Sequence, residues 1–123
     1  MKLNSLILMV SLLAFFSCRK EETYQVDSAL DPYLQMFLQE ASQRGLHLDV
    51  EKNGLLMKFS DLEPPTIGLC TYTDPLLVEI DRTYWNEVKR YRNCEDLRQN
   101  VVFHELAHGL LNRRHDNAYL ANS

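Results

Sequence analysis

The chain has 123 residues, which suits one small domain, and its balance of 46% hydrophobic and 24% charged residues is ordinary for a globular protein. Its net charge of −4 argues against a nucleic-acid partner, which would call for a basic face. No internal repeat or low-complexity run is apparent.

Residues 1–17 read as a targeting segment. Lys2 supplies the positive start, and Leu6 to Phe16 an apolar core too short to span a bilayer. The mature chain therefore loses one base and no acid. Ser17-Cys18 follows, and AFFSC looks like a bacterial lipobox, with cleavage before Cys18 and lipid on its thiol. Phe15 stands where leucine is usual, and plain secretion with an incidental Cys18 is the alternative. Arg19 stands where an aspartate would favour inner-membrane retention, which points to the outer membrane. Residues 18–26 are then a lipidated cysteine and a polar tether, and residues 27–123 the folded domain.

Asp31-Pro32 signals a helix start, with a side-chain acceptor at the cap and a proline at the first helical position. Leu34, Phe37, Leu38 and Ala41 form its apolar stripe, and Gly45 ends it. Leu46 to Val50 alternates as a half-buried strand, which leaves His47 on the polar side with Asp49, as a solvated residue. Asn53-Gly54 signals a hairpin, and Leu55 to Phe59 returns as the second strand. Pro64-Pro65 bars regular structure. Ile67 to Tyr72 and Leu76 to Ile80 read as two more strands, and Asp81 caps a short helix through Arg90 that contains Trp85. The expected fold is α+β, with a small, mostly antiparallel sheet packed on helices.

A last helix opens at Asn93, with Glu95 and Asp96 in its first turn, where the helix dipole favours acids. Val101, Val102, Phe103, Leu106, Leu110 and Leu111 make it as apolar as a buried helix. Three of the chain's four histidines fall in residues 104–115, and two of them sit in the order H-E-x-x-H: His104, Glu105, His108. Positions four apart share a helix face, so the two imidazoles project side by side and can bind one divalent cation, most often zinc. Glu105 lies close enough to take a proton from a water that the cation acidifies. That is equipment for hydrolysing a peptide bond. The competing reading is a core helix whose histidines happen to be spaced by four.

The segment HELAH on an apolar helix resembles the zincin metallopeptidases. FHELAHGLLNRRHD, with IGLCTY and VEIDRTYW upstream, resembles a group of small bacterial lipoproteins regarded as zinc metallopeptidases; the likeness covers roughly residues 60–117. It implies a zincin fold, whose N-terminal half the expected order of elements fits, with His104 and His108 as ligands and Glu105 as base. It also implies an edge strand above the metal that binds substrate backbone by strand addition. Leu76 to Ile80 is the candidate, although an interior strand has the same pattern. The metzincin pattern H-E-x-x-H-x-x-G-x-x-H is not met, because Leu111 replaces its glycine and Arg114 its third histidine. His115 is one residue late. The helix must end near Asn112 for His115 to reach the metal as third ligand, with Asp116 the alternative ligand or an outer-shell acceptor. No methionine follows Met57, so either the domain dispenses with the methionine turn or the chain is a truncated fragment.

Cys70 and Cys94 could pair in an oxidising compartment or stand as two separate buried thiols. Neither suits a catalytic zincin site, which uses histidines and carboxylates. The expectation is a lipid-anchored zinc metallopeptidase with a peptide or protein substrate. The rivals are a non-catalytic surface lipoprotein, with structural metal or none, and a zinc amidase acting on the cell wall. Glu105 separates the first rival from an enzyme, since a structural site has no need of that carboxylate.

Overall fold

The computed structural model describes residues 23–111. Their order is β1 (Tyr24–Val26), α1 (Asp31–Gln43), α2 (Val50–Asn53), β2 (Leu55–Ser60), β3 (Gly68–Thr71), β4 (Leu76–Asp81) and α3 (Arg82–Glu87). A 3-10 turn at Val88–Arg90 then leads to α4 (Cys94–Leu110). Cys18, Asn112, His115 and Asp116 lie outside the described residues.

The fold is α+β as expected, but the sheet is mixed rather than mostly antiparallel. Its order is β1-β2-β4-β3, with β1 parallel to β2, β2 parallel to β4, and β3 antiparallel to β4. The expected hairpin at Asn53-Gly54 is what fails. Residues 46–49 form no strand; instead Asp49 accepts a hydrogen bond from Lys52 N at 3.1 Å and caps the single helical turn of α2. Gly54 ends that turn at φ 90, ψ 137, a conformation open to glycine, and the chain enters β2 directly. A side chain there would also meet Pro75 Cβ at 2.9 Å and Thr23 O at 3.1 Å. The partner of β2 is therefore β1, from a stretch that composition assigns to the tether. The sheet thus includes Tyr24–Val26, residues that the tether reading covers.

Leu76 to Ile80 is likewise not an edge. Strand β4 lies between β2 and β3, and β3 is the edge on that side. Its run of Leu76, Leu77, Val78 and Ile80 suits an interior position, where both faces are at least half-covered.

Leu55, Met57, Val78 and Ile80 point from the sheet into one core, where they meet Leu30, Leu34 and Phe37 from the α1 side and Val101, Val102 and Leu106 from α4. Each such side chain contributes about 1.5–3 kcal/mol by leaving water. The apolar stripe of α1 is borne out, with Leu34, Phe37 and Ala41 buried. Its start differs: Leu30 holds the cap position, and Asp31 and Pro32 are the first two helical residues. Gly45, at φ 83, ends the helix in a Schellman arrangement, with Gly45 N bonded to Ser42 O and Leu46 N to Ala41 O. Asp81 caps α3 as expected, accepting from Tyr84 N at 3.0 Å and also holding Leu62 N at 3.0 Å. Trp85 of α3 packs edge-on to Tyr33 and against Phe59, with Arg98 of α4 over its ring at 4.5 Å. Tyr33 donates to Glu95 at 2.6 Å, which ties α1 to the first turn of α4. Asn93 occupies the cap position of α4 without a side-chain capping bond.

Cys70 and Cys94 are separate thiols. The sulfur of Cys70 lies against Gly109, and Cys94 opens the same helix fifteen residues earlier. At 1.5 Å of rise per residue those positions are about 22 Å apart, far beyond the reach of a disulfide.

Candidate metal and catalytic site

Helix α4 carries three faces. Val102 and Leu106 enter the core, while Phe103, Ala107 and Leu111 line a groove against Phe37 and Ala41 of α1. His104 and His108 occupy the remaining outward side, one exposed and the other half-buried. Their Nε2 atoms converge to 3.1 Å, with ring centroids 4.6 Å apart. One neutral ring can donate to the other at this distance. It is also close to the roughly 3.3 Å expected between two nitrogens bound at about 2.05 Å to one tetrahedral zinc. The distance is compatible with a shared cation and with a ring-to-ring hydrogen bond alike.

A metal centre needs more than two ligands. Among the described residues no group of three histidine, cysteine or acidic side chains comes together. Both expected candidates for the third position, His115 and Asp116, lie outside the described residues. His47 is exposed, on the stretch between α1 and α2, as the solvated reading has it.

Glu105 is only 8% exposed. It projects from α4 towards β3, where its side chain lies against Gly68. Burial raises its pKa above the ordinary carboxylate value, and the nearby His108 partly opposes that rise. A carboxyl so placed is better matched to taking a proton near neutral pH than a solvated one. Cys70, two residues along β3, is pushed up to about 11 by burial first and by Glu105 second. It stays a neutral thiol at neutral pH, a poor metal ligand.

Two contributors were not singled out from sequence. Tyr72, although 60% exposed, donates its hydroxyl to the carbonyl of His108 at 2.7 Å. That carbonyl is among the last four of α4, which a helix leaves without intrahelical partners. Tyr72 thus ties the end of β3 to the helix at the second histidine. Tyr72→Phe should lower stability by about 0.5–1 kcal/mol, read as a shifted urea midpoint with unchanged slope. The second is Gly68, and its signal was available: an isolated glycine in a strand pattern marks a close backbone approach.

The edge of the sheet also takes part. Asp81 N donates to Ile67 O at 2.9 Å, one step beyond the pairs Gly68–Ile80 and Leu69–Glu79. Hydrogen-bonded pairs alternate along an antiparallel ladder, so Leu69 and Thr71 turn their backbone groups towards β4. Gly68 and Cys70 turn theirs outward, where no strand among the described residues pairs with them. Among the described residues, an unpaired edge thus runs beside Glu105.

No protein-family model, curated protein or solved structure matches this chain.

Proposed function

We propose that this protein is a zinc-dependent peptidase of the zincin type, anchored to a bacterial envelope, most simply the outer membrane, through lipid on Cys18. The observation that carries the reading is the convergence of His104 and His108 Nε2 to 3.1 Å on the same helix as the buried Glu105. A zinc ion held by His104, His108 and a third ligand, His115 before Asp116, would supply an acidified water and polarise the scissile carbonyl. Glu105 takes the proton of the attacking water and returns it to the departing amine. Its burial raises that proton affinity above that of a solvated carboxylate. Strand β3, rather than β4, receives the substrate: an extended peptide pairs with the outward backbone groups of Gly68 and Cys70 and is laid alongside Glu105. A site that only held structural metal would gain nothing from a carboxylate buried at this cost.

The test uses purified mature protein and an unstructured protein such as casein. Cleavage should stop with a chelator and return with zinc. Cleavage that persists after the metal is removed and verified absent refutes the reading. No helix among the described residues is long and apolar enough to cross a membrane. The anchor is tested separately, by mass spectrometry of the mature N-terminus, with diacylglyceryl mass expected on Cys18. An unmodified Cys18, or cleavage elsewhere, removes the anchor from the proposal.

A further inference from the structure

We propose that Gly68 is the positioning residue for Glu105: the absence of a side chain at this one place on the edge strand fixes where the carboxylate lies. The inference rests on the reading of Glu105 as general base. A Cβ built on Gly68 would meet Glu105 Cγ at 2.8 Å, Oε1 at 3.0 Å and Cδ at 3.1 Å. All three atoms belong to the same side chain, so its carboxyl end is stacked on bare backbone. Real Cβ atoms are essentially never found closer than 3.0 Å to such a neighbour.

Conformation does not explain this glycine. The positive-φ glycines of the described residues are Gly45 and Gly54; Gly68 has ordinary strand geometry that alanine could adopt. The contact with Glu105 is what a side chain would disturb. Glu105 is only 8% exposed, so its side chain has to be displaced within packed surroundings rather than into open solvent.

Position matters more here than at other contacts. The backbone N–H and C=O of Gly68 face the unpaired edge, so the same residue that a substrate strand pairs with also seats the base. One backbone unit thereby sets the register between the peptide and the carboxylate. A side chain at 68 leaves those backbone groups in place and moves only Glu105. Its effect falls on turnover rather than binding.

The experiment compares Gly68→Ala, Glu105→Ala and the double variant with the parent protein, in two readouts. The first is thermal unfolding of the metal-free proteins. Gly68→Ala should lower Tm by about 4 °C or more in the Glu105 background and have little effect in the Glu105→Ala background. If Gly68→Ala fails to fold while the double variant folds, the same coupling is shown in stronger form. The second readout is casein cleavage by the zinc-loaded proteins. Gly68→Ala should reduce kcat about 100-fold, as expected of a displacement near 1 Å, with KM and zinc content close to the parent values. An equal Tm loss in both backgrounds, or parental Tm and kcat in Gly68→Ala, overturns the proposal. Coupling in Tm with no cleavage by the parent protein supports the placement of Glu105 by Gly68 and refutes its role as base.

Discussion

Glu105→Gln should abolish peptide hydrolysis while leaving zinc binding and the fold intact. Glutamine matches glutamate in shape, so the packing against Gly68 is kept. The amide accepts no proton, and removing a general base costs about 10²–10⁴-fold in kcat. The same change should make the metal-free protein more stable at neutral pH, and the sign follows from the direction of the pKa shift. Burial raises the carboxyl pKa in the folded state above its unfolded value. Stability from this group is fully present below the unfolded pKa and is lost as pH rises through the folded pKa. As pH rises above the unfolded pKa the parent protein progressively gives up that stability, and the glutamine variant has no such titration. Thermal unfolding across pH should therefore show the two curves close together in acid and the variant above the parent near neutrality. Higher neutral-pH stability with lost turnover is the signature of a functional group kept at a cost to the fold. Undiminished casein cleavage by Glu105→Gln would remove Glu105 from the mechanism.

What could be read from the chain was the part that depends on nearby residues. The helix Cys94–Leu110, its acidic first turn and the shared outward face of His104 and His108 all follow from a period of 3.6 residues. The caps at Asp81 and Gly45 are also local. The errors concern partners distant in sequence. Asn53-Gly54 does announce a positive φ, but the same backbone need arises at a hairpin and at the end of a helical turn. Which one forms was decided by Asp49 capping α2 and by β1 pairing with β2. Tyr24–Val26 has three residues and a polar approach, too short for its alternation to register. The wrong edge strand followed from the same limit, because strand order is a property of the sheet. Gly68 and Tyr72 acquire their importance only when β3 lies against α4, some 36 residues further along.

His104→Ala/His108→Ala should bind no zinc. Two imidazoles meeting at 3.1 Å are the described part of the proposed donor set, and loss of both would leave one ligand at most. The single variants separate the candidates for the third position. The helix reaches its C-cap at Leu111, and His115 follows by four residues, a span of up to about 14 Å for an extended chain. A chain of that length would suffice to bring either His115 or Asp116 to the outward face of α4. Histidine is the softer nitrogen donor, and His115 lies one residue from the place the metzincin pattern gives its third histidine, so it is the expected ligand. Asp116 then serves as an outer acceptor that orients an imidazole. His115→Ala should lose zinc to a weak chelator, whereas Asp116→Ala should weaken binding by about 10–100-fold, the range for groups that act through a ligand. Competition titration with a chromogenic chelator gives both affinities on one scale. Full zinc in the double histidine variant would dismiss the site altogether. Loss of zinc in Asp116→Ala with retention in His115→Ala would exchange the two roles, giving the set of two histidines and one carboxylate that other catalytic zinc sites use.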